Sequence, residues 1–267
     1  MLPRSQMYQR ANSTTEVAAE DASPPYNAAP WTAEDWSCKA VFDFVLAAVM
    51  FVLAVPFMLI TALLVKFSDR GPVLYCQTRT GKNGRLFTLV KFRTMRVESE
   101  RHGACWSRPG DPRITAVGRF LRRTHLDELP QLWNVLRGDM SLVGPRPERP
   151  EFVTVLGKAL PRYRERLLVR PGVTGLAQVQ LPADTDLNSV RKKLRRDLYY
   201  VQNANPWLDF RILLATACKM FGVPFSTLSF LFGMPRLEEQ PSMDANAEVS
   251  WNPFSGLAAA PAGSEAG

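Results

Sequence analysis

The chain has 267 residues, 46% of them hydrophobic, enough for one substantial folded domain plus extensions. Its 33 Lys+Arg against 25 Asp+Glu give a net charge of +8, which suits polyanionic partners such as nucleic acid, anionic lipid headgroups or phosphorylated substrates. The four cysteines, Cys38, Cys76, Cys105 and Cys218, are scattered without a CxxC pair, which argues against a zinc site and a disulfide framework and for free thiols in a reducing compartment.

Residues 1–37 are polar, rich in Ala, Ser and Thr, and carry Pro24, Pro25 and Pro30; this composition predicts a disordered N-terminal segment. Val41 to Val65 is apolar apart from Asp43. At ~1.5 Å per residue such a helix covers roughly 37 Å, more than the ~30 Å hydrocarbon core. Pro56 lies inside it, and an internal proline removes a backbone hydrogen bond and kinks a helix. From these residues the segment either spans or dips in and returns to the same face. It begins too far into the chain, and lacks the cleavage site, for a signal peptide. Lys66, Arg70, Arg79, Lys82 and Arg85 follow it, which puts the downstream domain on the cytoplasmic side by the positive-inside rule for either path. Lys39 stands four residues before Asp43, a spacing that lets the two pair near the interface.

Val73–Gln77 and Phe87–Phe92 predict two strands around the turn Gly81-Lys82-Asn83-Gly84. Ile114–Arg123 and Leu126–Leu136 predict helices. Leu187, Val190, Leu194, Leu198 and Val201 recur at helical spacing with Arg191, Lys192, Lys193, Arg195 and Arg196 between them. A second amphipathic helix follows the Asn205-Pro206 break, and then an apolar patch over 225–232. This pair of helices either lies on an anionic bilayer surface or packs into the core with a solvated basic face. Residues 235–267 predict a disordered tail. The fold class expected is α+β, predominantly helical.

The densest chemistry lies in residues 121–150, LRRTHLDELPQLWNVLRGDMSLVGPRPERP. Asp127 and Glu128 stand just before an apolar helical run, preceded by Arg122 and Arg123. Thr124-x-x-Asp127 fits a helix-capping box with Pro130 in the first turn. The same placement fits a phosphate site, where free backbone N–H groups and arginines favour anions. There the cations and donors would keep Asp127 ionised as a nucleophile on phosphorus. A Mg²⁺ held by one acid and the substrate phosphates would relieve the repulsion within the pair. Gly144-Pro145-Arg146-Pro147 is a stiff turn presenting Arg146, Arg170 precedes a second tight turn, and Lys91 and Arg93 share one side of a strand.

Taken together these stretches resemble the monotopic phosphoglycosyl transferases, the bacterial sugar transferase family. The matching residues are the Pro56 segment, Gly71-Pro72-Val73, Gln77-x-Arg79-x-Gly81, Lys91-Phe92-Arg93-Thr94-Met95, Leu126 to Leu136, Gly138-Asp139-Met140-Ser141, Gly144-Pro145-Arg146-Pro147 and Arg170-Pro171-Gly172-x-Thr174-Gly175. They run in family order over roughly residues 39–222. The resemblance implies a re-entrant membrane helix-break-helix over 38–66, kinked at Pro56, and a cytoplasmic catalytic domain over 67–234. It implies Asp127 as nucleophile, Glu128 as Mg²⁺ ligand, and Arg122 and Arg146 as positions that contact phosphate or support the site; Arg170, Lys91 and Arg93 are the further phosphate contacts expected from the residues themselves.

The implied reaction moves a sugar-1-phosphate from a UDP-sugar to undecaprenyl phosphate through a covalent aspartyl intermediate, releasing UMP. It would start exopolysaccharide, capsule or O-antigen synthesis at the bacterial inner membrane. Anionic lipids and other polysaccharide-assembly enzymes are the further partners expected. No nucleic acid is expected, since no recognition module accompanies the charge. Val55 stands before Pro56, where many family members have serine. His125 reads as a neighbour of the acids and Asp139 as structural.

Overall fold

The computed structural model describes residues 33–97, 99, 110–182, 184, 186–235 and 237. The disorder expected for residues 1–37 and 235–267 therefore falls mostly outside the described residues. Within them, 33–37 are helical rather than disordered, because helix α1 begins at Ala33 and runs to Ser68, 36 residues.

Helical assignment continues through Pro56, so no non-helical break separates two halves. The proline removes a single N–H from the ladder, and the flanking turns keep theirs. Lys39, Asp43, Ala47, Ala54, Thr61 and Val65 are buried; steps of four and seven place them on one face. The rest of the surface, including Val45, Val52, Phe57 and Leu63, is exposed and apolar.

Strands β1 (Leu74–Thr80) and β2 (Leu86–Phe92) pair antiparallel, from Leu74 opposite Phe92 to Thr80 opposite Leu86. The connecting turn uses left-handed backbone at Asn83 and Gly84, the residue pair that tolerates it best. Helix α2 (Ala116–Thr124) starts on Thr115, whose Oγ1 accepts from the Gly118 N–H at 2.9 Å. The single helix expected over 126–136 is divided into a 3-10 turn, Leu126–Glu128, and a short helix α3, Gln131–Leu136. His125 causes this: its φ of 56° turns the chain left-handed and ends α2.

Two three-residue strands, β3 (Ser141–Val143) and β4 (Gly172–Thr174), pair in parallel. They bring the Gly144-Pro145-Arg146-Pro147 and Arg170-Pro171-Gly172 turns into backbone contact. The Gly172 N–H donates to the Pro145 carbonyl at 2.9 Å. A Cβ on Gly172 would sit 2.1 Å from the Gly144 nitrogen, so the crossing requires glycine. Helices α4 (Pro150–Ala159), α5 (Leu176–Gln180), α6 (Leu187–Asn203), α7 (Pro206–Met220) and α8 (Phe225–Phe232) complete the domain.

Leu132, Met140, Leu142, Leu176, Tyr200, Leu208 and Ile212 form the core, with Ala47 and Ala54 of α1 packed into it. At the other end of α1, Val65 packs with Phe92 and Leu121. The basic face of α6 is not wholly solvated. Lys193 bonds Glu148 and Asp184, and Arg196 is buried against Gln180.

Candidate active site

The acid pair stands where β2, α2 and the 3-10 turn meet. Asn134 of α3 fixes this junction. It is buried, donates from Nδ2 to the Thr88 carbonyl at 2.7 Å, and accepts from the Val90 N–H at 3.1 Å. An amide that bonds both ways along β2 holds α3, and the turn before it, in register with Lys91.

Thr124 does not cap the turn. Its hydroxyl donates backward to the carbonyls of Phe120 and Leu121. The capping-box reading of Asp127 therefore fails, and the left-handed His125 is the reason. Asp127 is 7% exposed, and its side chain forms no hydrogen bond or ion pair among the described residues. Burial pushes its carboxyl up, and Glu128 adds to this; Lys91, Arg122 and Arg146 oppose it, and the net direction is upward. This corrects the expectation that its surroundings favour the charged form.

Glu128 differs. Arg146 Nη2 donates to its Oε1 at 2.5 Å. Burial pushes the Glu128 carboxyl up, but the Arg146 guanidinium outweighs this and holds it below the usual range. The repulsion within the acid pair is thus met by an arginine in the chain itself.

A cleft of about 920 Å³ adjoins these residues. Lys91, Arg93, Arg122, Glu128 and Arg146 line it; Asp127 and Arg170 are not among the lining residues. Lys91 lies 5.2 Å from the Tyr75 ring centre. Burial, with Arg79, Arg146 and Arg122 nearby, lowers its ammonium to about 8. Arg122 Nε donates to Thr94 Oγ1 at 2.9 Å.

Arg93 reaches the cleft wall but turns to the end of α1, donating to the Asp69 carbonyl at 2.5 Å. A guanidinium on the carbonyls after a helix C-terminus is a structural use, favoured by the helix dipole. Arg170 is half-buried and contributes its backbone to the β3–β4 crossing, where a Cβ on Gly144 would meet its carbonyl at 2.4 Å. The structure therefore brings Lys91, Arg122 and Arg146 to the acids and leaves Arg170 aside.

The sequence patterns gave no role at the site to Glu148, Arg166 or Lys193, and placed Arg79 only in a family motif and the basic flank. Glu148 is bonded by Lys193 at 2.5 Å and lies 3.7 Å from Arg79 and 3.9 Å from Arg166. Burial pushes it up, but Lys193, Arg166 and Arg79 hold it at about 2. Arg166 also donates to the Arg146 carbonyl and Arg79 to the Pro147 carbonyl, at 2.9 and 3.0 Å. This network clamps the turn that presents Arg146. The hints in the sequence are Glu148 directly after the two-proline turn and Arg79 in the Gln77-x-Arg79-x-Gly81 motif.

Among the described residues no group of three or more His, Cys, Asp or Glu gathers as a metal cage. Mg²⁺ commonly takes one or two carboxylates and completes its shell with water and substrate phosphates. Glu128, the member of the acid pair that lines the cleft, fits that mode.

A family profile for bacterial sugar transferases matches residues 34–223. The chain belongs to the bacterial sugar transferase family. It is 44% identical over 178 residues to a UDP-N-acetylgalactosamine-undecaprenyl-phosphate N-acetylgalactosaminephosphotransferase of Aeromonas hydrophila, covering 67% of this chain and 42% of that one. It is 43% identical over 180 residues to a UDP-glucose:undecaprenyl-phosphate glucose-1-phosphate transferase of Caulobacter vibrioides, covering 67% of each. It is 42% identical over 188 residues to the exopolysaccharide production protein PSS of Rhizobium leguminosarum, covering 68% of this chain and 94% of that one. The match thus spans less than half the length of the Aeromonas relative.

Proposed function

We propose that this chain transfers a sugar-1-phosphate from a UDP-sugar to undecaprenyl phosphate, with Asp127 as the covalent nucleophile. The observation that carries this is the unequal acid pair. Glu128 is engaged by Arg146, while Asp127 has no bonded partner among the described residues and three cations near it. A carboxylate left unshared beside a cationic cleft is suited to attack a diphosphate. The names of the relatives support both substrates.

An Asp127 oxygen attacks the sugar-proximal phosphorus. The bond from that phosphorus to the bridging oxygen breaks, and UMP leaves with that oxygen. Lys91, Arg122 and Arg146 orient the diphosphate and balance its charge. An oxygen of undecaprenyl phosphate then attacks the same phosphorus. The bond to Asp127 breaks, the carboxylate is restored, and a polyprenyl diphosphate sugar forms. When Mg²⁺ is bound, Glu128 would hold it, and it would neutralise charge on the diphosphate.

The packing of α1 supports a re-entrant path. Asp43 to Val65 covers about 33 Å along a straight helix, roughly the hydrocarbon thickness. Yet Asp43 accepts from Ser141 Oγ at 2.6 Å, while Val65 packs on Leu121. Both ends rest on one domain, which a full crossing would not permit. Exposed Trp207, Phe210, Phe221 and Phe230 on and beside α7 and α8 fit a domain seated at the bilayer interface. Residues following α1 are strongly basic, and the positive-inside rule puts that domain on the cytoplasmic side of the inner membrane. The product would enter exopolysaccharide, capsule or O-antigen synthesis, alongside other assembly enzymes.

The test is single-turnover chemistry. The purified full chain with Mg²⁺ and a panel of UDP-sugars, without acceptor, should release about one UMP per enzyme and retain labelled phosphosugar on Asp127. Asp127→Asn should lose label and turnover, by about 10³-fold or more. Label at another residue, or turnover in that variant near the unsubstituted rate, refutes the assignment.

A further inference from the structure

The lining of the cleft changes chemistry from one set of elements to another. On the side of α4, α6 and the Arg146 turn it is charged: Glu148, Arg149, Asp184 and Lys193. On the side of α1, α3, β3 and α7 it is apolar: Met50, Leu132, Leu142, Leu213, Ala217 and Met220. Glu128 and Leu129, adjacent in the chain, one charged and one apolar, both line the cleft. Met50 and Met220 are 39% and 50% exposed and belong also to the outer apolar surface of α1 and α7. The apolar side of the cleft is therefore continuous with the surface that meets lipid in the reading above.

Most polar groups on this side are already engaged; Gln178 Oε1 is buried without a partner among the described residues. Thr174 and Thr216 share a hydrogen bond of 2.7 Å, and Thr216 also donates to the Ile212 carbonyl at 2.7 Å. Lys219 donates to the carbonyls of Gln178 and Val179, and Gln178 Nε2 to that of Val173. A nucleoside placed here would lose water from its ring and hydroxyl groups and find one unengaged acceptor, Gln178 Oε1, in return, which is unfavourable. A hydrocarbon chain loses nothing and gains apolar burial.

We propose that the apolar side of the cleft, between α3 and α7, is the groove for the isoprenoid chain of the lipid acceptor, running from the acid pair past Leu132, Leu142, Leu213 and Ala217 to the bilayer. The charged side is left to the nucleotide donor. The phosphate of the acceptor then arrives at Asp127 from the opposite end to the UMP that has departed. The two substrates use one carboxylate in turn without sharing a route. This rests on the transferase reading, and two measurements separate them.

The first fills the groove. Ala217 is exposed on α7 and small, so Ala217→Trp narrows the cleft without removing a core contact. Single-turnover release of UMP should stay within about two-fold of the unsubstituted chain, which also reports on folding. Discharge of the phosphosugar-enzyme by undecaprenyl phosphate should slow by about ten-fold or more. Equal loss in both half-reactions, or normal discharge, overturns the proposal.

The second does not need turnover. A benzophenone amino acid at position 217, in nanodiscs of phosphatidylethanolamine and phosphatidylglycerol doped with radiolabelled undecaprenyl phosphate, should capture the label on irradiation, and excess unlabelled undecaprenyl phosphate should compete it away. Capture that only phospholipid competes assigns the groove to bulk acyl chains and overturns the proposal. Capture by a chain that releases UMP from no donor would instead overturn the transferase reading and leave the groove standing.

Discussion

In the proposed reaction, Asp127 and Lys91 set opposite limits on the pH at which the cleft can work. Asp127 must be ionised to attack, and burial raises its carboxyl above the ordinary value. Lys91 must be protonated to hold a phosphate, and its ammonium is lowered to about 8. The rate of UMP release should therefore rise through an acid limb above the usual aspartate range and fall as pH passes about 8. Lys91→Arg keeps a cation whose charge persists to much higher pH, so the basic limb should move up while the acid limb stays. A basic limb unmoved in that variant would assign it to another group.

Glu148 makes a stability argument at the same scale. It is buried among Lys193, Arg166 and Arg79, and held at about 2. Glu148→Gln leaves three cations short of a counter-charge, which costs about 3 kcal/mol. A carboxyl depressed in the folded state adds stability that is full above its unfolded value near 4.5 and is lost as pH falls toward about 2. Thermal inactivation in detergent should show the variant less stable at pH 7, with the difference shrinking through that acid window.

Among the elements, α1 shows both how far residue patterns reach and where they stop. Its apolar run and Pro56 were legible, as was the Lys39–Asp43 pair, 3.3 Å apart. Its long-range partners were not. Lys39 also bonds Asp209 at 2.6 Å, 170 residues on, and Asp43 takes the Ser141 hydroxyl. Local spacing carries no record of a partner brought in by tertiary packing.

If both ends of α1 stay on one side, Cys38, which is exposed, faces the cytoplasm. In a variant with Cys76, Cys105 and Cys218 changed to serine, an impermeant maleimide should label it only after the membrane is opened. Labelling in intact spheroplasts would establish a full span. The hairpin and α6 were legible because alternation and helical spacing are local, although β1 runs to Thr80, three residues past the expected Gln77. The division at His125 was not, since histidine, though enriched in left-handed backbone, adopts it too rarely for one residue to mark a helix end. Nor was the β3–β4 pair, whose three-residue strands are too short for a period to show. The acids with Lys91, Arg122 and Arg146 were legible as a set, whereas the places of Arg93 and Arg170 depend on tertiary packing: one guanidinium lines the cleft but turns to α1, and the other stays off the cleft.

At the scale of the molecule, the question is what holds the domain to lipid. A net charge of +8 invites an electrostatic answer, with the basic face of α6 on anionic headgroups. The structure weakens it, because Lys193 and Arg196 are spent on Glu148, Asp184 and Gln180 inside the domain. The exposed surface of α1, by contrast, is a long apolar strip, and Phe221 and Phe230 beyond it are 89% and 87% exposed. Apolar contact with lipid is insensitive to salt, while headgroup attraction is screened within about 3 Å at 1 M ionic strength. Membranes carrying the full chain should therefore keep it in the pellet through a 1 M NaCl wash and an alkaline carbonate wash, and release it only to detergent. Release by salt would transfer the anchor from α1 to the basic surface. It would also remove the continuity between bilayer and cleft on which a lipid-borne acceptor depends.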